Sequence, residues 1–230
     1  MRPLIVAIDG PAGAGKSTVS KLLARRLGLS FVDSGALYRT VALSARRQGI
    51  ATDDDPALAA LVGRIRISFK ATADENRVYL EGEDVSAEIR TPEVSLLASA
   101  VSARPVVRAG LLGLQRRLAL EAPVGAVLEG RDIGTVVFPD ADLKFFLEAS
   151  PDVRARRRYE ELFQKGTESS LDAVLADQTK RDRNDASRAV APLKPAEDAV
   201  RVDSSGLPLS EVVQRLERVI HERLSARGGA

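Results

Sequence analysis

A chain of 230 residues with 44% hydrophobic composition can build one sizeable core, with room for a small subdomain set into it. Its 34 basic and 32 acidic side chains leave a formal charge of only +2, which argues against non-specific binding to nucleic acid. With no cysteine there is no disulfide or thiolate chemistry, and the single histidine, His221, leaves little for a histidine-based zinc or iron site.

The apolar run Leu4-Ile5-Val6-Ala7-Ile8 predicts a buried strand that stops at Asp9. It is too short for a signal peptide, and no run of about eighteen apolar residues follows anywhere, so the expectation is a cytoplasmic protein without membrane partners. After a turn-rich decapeptide, Val19, Leu22, Leu23 and Leu27 recur at helical spacing until Gly28. The same grammar repeats: Phe31-Val32 predicts a short strand, and Asp33-Ser34-Gly35 leads into a helix containing Leu37, Val41 and Ala42. From Ile65 the rhythm changes to alternation, with Ile65, Ile67 and Phe69 on one strand, Val78 and Leu80 on a partner, and a turn at Asp74-Glu75-Asn76. A small inserted antiparallel sheet is the expected outcome.

Pro92, capped by Thr91, and Pro105 each suit the first turn of a helix, the latter with Leu111, Leu112 and Leu118 as its buried stripe. Ala126-Val127-Leu128 and Leu143 to Leu147 predict two more strands, each running into polar residues, as at the carboxyl edge of a parallel sheet. A basic helix from Pro151 should stop at Gly166, and a second helical stretch through Leu171, Val174 and Leu175 delivers Arg181 to Arg188. Ala199 to Val202 predicts a last strand, and Val212, Val213, Leu216, Val219, Ile220 and Leu224 a closing amphipathic helix, with Arg227 to Ala230 frayed.

Chemistry concentrates first in Gly10-Pro11-Ala12-Gly13-Ala14-Gly15-Lys16-Ser17, a full match to the phosphate-loop pattern in its required strand and helix context. Small residues let backbone N–H groups converge on phosphate oxygens, Lys16 suits the β and γ phosphates, and the Ser17 hydroxyl suits Mg²⁺. Thr18 reads as packing or N-terminal hydrogen bonding. The pattern identifies a triphosphate site without saying how it is used.

An acceptor kinase needs a second anion site, and Ser34, Arg39, Arg131 and Asp132 all follow strand ends. A carboxylate such as Asp132 accepts hydrogen bonds and so suits an exocyclic amino group, with Ser99 and Arg108 able to complete the recognition. Arg154, Arg157 and Arg158 stand at helical spacing, as do Arg181, Asp185 and Arg188, so each set is expected on one helix face.

Together with Asp33-Ser34-Gly35-Ala36-Leu37-Tyr38-Arg39, Gly130-Arg131-Asp132-Ile133-Gly134-Thr135 through Pro139, and Arg181-Asp182 with Asp185 and Arg188 before Ala191-Pro192-Leu193, these motifs resemble the bacterial cytidylate kinases among the nucleoside monophosphate kinases. The resemblance runs nearly the whole length. It implies the α/β fold of a P-loop nucleoside monophosphate kinase: a parallel core sheet flanked by helices, a small inserted antiparallel sheet and a helical lid. It implies one kinase domain over 1–230, a monophosphate-binding region at about 35–120 with the inserted sheet at about 65–85, and a lid with adjoining substrate-binding segment at about 150–188.

The implied reaction moves the γ-phosphoryl group of Mg-ATP to CMP or dCMP, in a monomer that binds no nucleic-acid polymer. By resemblance, Ser34, Arg39, Arg131 and Arg188 hold the CMP phosphate, Arg181 and Asp185 the sugar side, and Ser99, Arg108 and Asp132 the cytosine, with Tyr38 in support. The basic helix of Arg154, Arg157 and Arg158 resembles the lid, and these three join Lys16, Arg131 and Arg188 as the groups expected around the transferring phosphoryl. The alternative is a P-loop kinase for another small acceptor such as UMP, AMP or shikimate; a nucleotide switch or a nucleic-acid binder accounts less well for paired anion sites.

Overall fold

The computed structural model of the chain describes residues 2–71, 76–164 and 166–228, and the apolar runs form strands where their patterning requires. In chain order β1 (Leu4–Asp9) is followed by α1 (Lys16–Leu27), β2 (Ser30–Asp33) and α2 (Ser34–Arg47). Then come α3 (Asp55–Arg64), β3 (Ile67–Ala71), β4 (Asn76–Leu80), β5 (Glu83–Asp84), α4 (Pro92–Val101) and α5 (Pro105–Leu120). The chain continues through β6 (Gly125–Gly130), β7 (Leu143–Glu148), α6 (Pro151–Gln164), α7 (Leu171–Ala186), β8 (Val200–Asp203) and α8 (Leu209–Gly228).

Two compact units result, residues 1–32 with 119–230 and residues 33–118. The first is built on a sheet of order β2-β6-β1-β7-β8, in which β1 pairs in parallel with β6 and β7, and β7 with β8. An apolar run buried on both faces belongs in such a sheet, and β1 lies at its centre. The register sets Asp9 beside Gly130 and Phe146, and Glu148 beside Asp203, so these strands end at one edge. Val6, Ile8, Leu23, Val127, Phe145, Val213, Leu216 and Ile220 share the core of this unit. Leu224 is exposed and stands outside the predicted seam of α8.

The second unit has a separate core. Leu37, Val41, Leu58, Leu61, Val78, Ile89, Val107 and Leu111 pack together beneath the antiparallel sheet β3-β4-β5. Thr91 caps α4 by accepting from Val94 N–H, and Pro92 opens the helix as its fixed φ favours. Of the stripe expected in α5, Leu111 is fully buried, while Leu112 and Leu118 are half-buried.

Two differences from expectation have local causes. Asp54 caps α3 through Ala57 N–H, and Leu58, Leu61 and Val62 supply a buried helical stripe that continues the chain as helix to Arg64. Ile65 therefore closes α3, and the strand begins at Ile67. The predicted turn residues Asp74 and Glu75 lie outside the described residues, as do Gly229 and Ala230. Among the described residues no single helix is long and apolar enough to cross a membrane.

Where β1 turns into the following loop, Gly10 has φ +150° and its backbone passes so close to β7 that an added Cβ would overlap the Leu147 carbonyl oxygen. Gly10→Ala should therefore destabilise the protein by about 2–4 kcal/mol through combined strain and overlap. Urea denaturation measures this; an unchanged midpoint would contradict the close approach.

Candidate active site

Residues 10–15 join β1 to α1, with Gly13 at φ +76° and Gly15 at φ +88°, backbone that favours glycine. The first bond of the α1 ladder runs from Val19 N–H to Gly15 O at 3.0 Å, so the helix gives no carbonyl to the amides of Lys16, Ser17 and Thr18. No acidic residue or side-chain cap blunts that end, which leaves it an anion cradle. Lys16 is buried and its Nζ donates to Pro11 O at 2.7 Å. Burial pushes its ammonium down to about 7, Arg131 pushes the same way, and Glu129, Asp9 and Asp185 oppose them. The ammonium thus lacks the countercharge that a triphosphate carries. Ser17 is exposed on the same turn, so amides, an ammonium and one hydroxyl suit phosphate oxygens and a hard cation.

Beside this loop stands a cluster of arginines. Asp185 accepts from Arg131 Nε at 2.8 Å through Oδ2 and from Arg188 Nη2 through Oδ1. Each oxygen keeps a lone pair for a further donor, such as a sugar hydroxyl. The Arg181 guanidinium is held below its ordinary value first by burial and then by Arg158, with Asp177 and Asp185 opposing and Arg131 adding repulsion. Like charges gathered this closely favour an anion. Arg188 does not share a face of α7 with Arg181 and Asp185, as the spacing suggested. The helix ends at Ala186 with Ser187 as its cap, and Arg188 reaches Asp185 from the segment beyond.

α6 carries Arg154, Arg157 and Arg158, but they do not act as one open set of arms. Arg154 is buried: Nε donates to Ala149 O at 2.9 Å, Nη1 to Ala12 O of the loop at 3.0 Å, and Nη2 pairs with Asp182 at 2.7 Å. Gln178 Nε2 donates to Arg154 O at 3.2 Å, which packs α7 over it. Arg157 donates to Ser204 Oγ at 3.1 Å and Ser204 O at 2.7 Å, and that hydroxyl also lies 3.2 Å from Ala14 O. Arg158 alone extends outward, paired with Glu161 at 3.0 Å. α7 covers Arg154 and Ser204 holds Arg157, which leaves Arg158 as the one of the three able to reach out.

In the second unit, Asp33 caps α2 by accepting from Ala36 N–H at 2.8 Å and receives Arg39 Nη2 at 2.9 Å, while buried Arg39 Nε has no acceptor among the described residues. Ser34 is buried beside it in the first turn. Arg108 lies over the Tyr38 ring at 5.4 Å and donates to Ser102 O at 2.9 Å, which orients its fork. Ser99 is half-buried, and its carbonyl accepts from Ser102 Oγ at 3.1 Å.

Three carboxylates went unassigned in the sequence. Asp33 orders Arg39, and its signal was the cap position ahead of Ser34. Glu129 is buried at the end of β6 within electrostatic reach of Lys16. Asp9 is buried at the end of β1, its carboxyl raised to about 6 by burial against the opposing amides of Gly134 and Ile133. For the last two the signal was an acidic residue closing an apolar run.

A family model described as cytidylate kinase matches residues 6–222. A cytidylate kinase of Geobacter sulfurreducens is 56% identical over 229 residues, covering 100% of this chain and 97% of that protein. One of Mycobacterium leprae is 49% identical over 226 residues, 98% of this chain and 99% of its own length. Among solved structures, an uncharacterized protein from Eubacterium ventriosum superposes with a TM-score of 0.53 at 13% identity, covering 95% of this chain and 98% of that one, a likeness of fold alone.

Proposed function

As a member of the cytidylate kinase family the chain transfers a phosphoryl group from ATP to CMP or dCMP, and we propose that Mg-ATP binds at the loop of residues 10–18 and delivers its γ-phosphoryl directly to the acceptor's phosphate. The observation that carries this division of labour is the pairing of an undercompensated buried Lys16 with the arginine cluster on Asp185. One suits the donor's phosphates and the other suits the acceptor's.

The loop amides and Lys16 hold the β and γ phosphates, and Arg131 and Arg188 hold the acceptor phosphate in line with the γ-phosphorus. An acceptor oxygen bonds to that phosphorus as its bond to the β–γ bridging oxygen breaks, and Lys16 meets the charge that gathers on the leaving oxygen. The acceptor phosphate is already an oxyanion near neutral pH, so no base is needed to create the nucleophile. Ser17 Oγ would hold Mg²⁺, which supplies charge neutralisation at the β and γ oxygens.

Arg181 and Asp185 serve the sugar side, Asp185 also fixing the two phosphate-binding arginines. Ser34, Arg39, Ser99 and Arg108, with Tyr38 under Arg108, keep the acceptor-binding roles implied by the resemblance. In the lid segment at about 150–188, Arg158 is the arm that reaches the phosphoryl group, while Arg154 and Arg157 position the loop. Work as a cytoplasmic monomer on small molecules belongs to the same proposal.

Asp132, buried after β6, reads the amino group of cytosine and meets an unfavourable acceptor–acceptor contact with uracil. Asp132→Ala should erase much of a CMP-over-UMP preference of roughly 1–3 kcal/mol. The ratio of kcat/KM for the two acceptors measures it, and an unchanged ratio would remove Asp132 from base recognition.

A further inference from the structure

Asp9 stands within electrostatic reach of Lys16 and Asp132, and its carboxylate is almost wholly buried and hydrogen-bonded to two consecutive amides. Oδ1 accepts from Ile133 N–H at 2.9 Å and Oδ2 from Gly134 N–H at 2.7 Å. Those amides open the wide, π-helical turn Ile133–Val137, directly after Arg131 and Asp132. On its other side Asp9 is joined to Gly10, where the phosphate loop begins. Strand register holds it between Gly130 and Phe146. One carboxylate therefore spans the root of the donor loop and the segment that presents the acceptor-side pair.

A Cβ on Gly134 would crowd the Lys144 side chain, at 3.2 Å from Cδ, and would meet Asp9 Oδ2 at an ordinary contact distance of 3.5 Å. The two amides both need an acceptor, and an ionised carboxylate offers one oxygen to each. An asparagine of the same shape offers one oxygen and turns an NH₂ against the other N–H. We infer that Asp9 is a positioning residue that sets the spacing between the phosphate loop and Arg131-Asp132, and so governs acceptor use without contacting either nucleotide. This rests on the reading that Arg131 and Asp132 serve the acceptor.

The test uses the full chain as wild type, Asp9→Asn, Asp9→Ala, Asp132→Ala and the double variant Asp9→Asn/Asp132→Ala. Asp9→Ala removes both acceptor oxygens without turning a donor against the second amide, and covers the case in which Asp9→Asn fails to fold. In nucleotide-free enzyme, hydrogen exchange at the Ile133 and Gly134 amides should quicken in both clamp variants. The KM for ATP should stay within about threefold, while kcat/KM for CMP falls by about tenfold or more and the CMP-over-UMP preference narrows. The double variant should discriminate no worse than Asp132→Ala alone. Equal weakening toward ATP and CMP, loosened amides with unchanged acceptor kinetics, or a further loss of discrimination in the double variant would each overturn the inference. Should Asp132→Ala leave discrimination intact, the base-reading role fails by itself, and the exchange rates with the ATP-against-CMP split still decide the role of Asp9.

Discussion

Lys16→Met is expected to lower kcat by at least about a hundredfold, the scale of losing one positioned electrostatic group, and to leave the protein folded and more heat-stable near neutral pH. Both effects have one origin. The buried ammonium is held down to about 7 in the folded chain, against an ordinary value of 10.5. Between those pH values the unfolded chain binds more protons than the folded one, so wild-type stability rises with pH across that window. Below about 7 the folded protein carries the full cost of an undercompensated buried charge. Methionine removes that cost, so its gain in Tm should be largest at pH 6–7 and fade toward pH 10. Mg-ATP should raise the wild-type Tm more than that of the variant, because the triphosphate supplies the missing countercharge. Steady-state kinetics and calorimetry across pH measure these effects. Near wild-type turnover in a folded variant, or a lower Tm at pH 6, would contradict them.

Asp185→Ala should produce the second large loss. Its carboxylate and the Arg188 guanidinium are nearly enclosed, at 7% and 9% side-chain exposure, and Arg131 is only 27% exposed. Truncation leaves two guanidinium groups without their shared partner, with a cost of about 3 kcal/mol to the free protein. It also frees both forks from the geometry that a phosphate needs, so kcat/KM for CMP should fall by about a hundredfold. Because the stabilisation a ligand gives grows with its affinity, CMP at one fixed concentration should raise the Tm of the variant less than that of the wild type. Melting curves with and without CMP distinguish this from simple core damage. An equal CMP-induced shift in both proteins would contradict an anion site at this pair.

What could be read in the sequence divides along the range of the interactions involved. Gly10 to Ser17 was legible because loop chemistry is local: the glycines, Lys16 and the strand before them all lie within about one strand and one turn. The strands at Leu4, Ala126 and Leu143 were legible from unbroken apolar runs, and α4 from Thr91 and Pro92. α3 carried its own signals in Asp54, Pro56 and the stripe of Leu58, Leu61 and Val62, but the alternation beginning at Ile65 drew the strand boundary too early. The arginines show the other limit. Residue spacing put Arg154 on a stripe with Arg157 and Arg158, yet its role depends on Ala12 O, 142 positions away, and on Asp182. Asp185 meets Arg131 across 54 positions and Asp9 meets Ile133 across 124, and no local pattern announces such pairings. Buried carboxylates at strand ends are where the sequence was least explicit, since an acidic residue after an apolar run also reads as an ordinary boundary.

The most direct measurement is a comparison of acceptors. Purified wild-type enzyme with Mg-ATP is given CMP, dCMP, UMP, AMP or shikimate at equal concentration, and the phosphorylated product is identified directly beside ADP release. CMP and dCMP should be converted to CDP and dCDP, with CMP ahead of UMP by roughly 1–3 kcal/mol in transition-state free energy. Preference for UMP, AMP or shikimate over CMP would contradict a cytosine-reading site, even if Lys16 and its loop still bound the triphosphate.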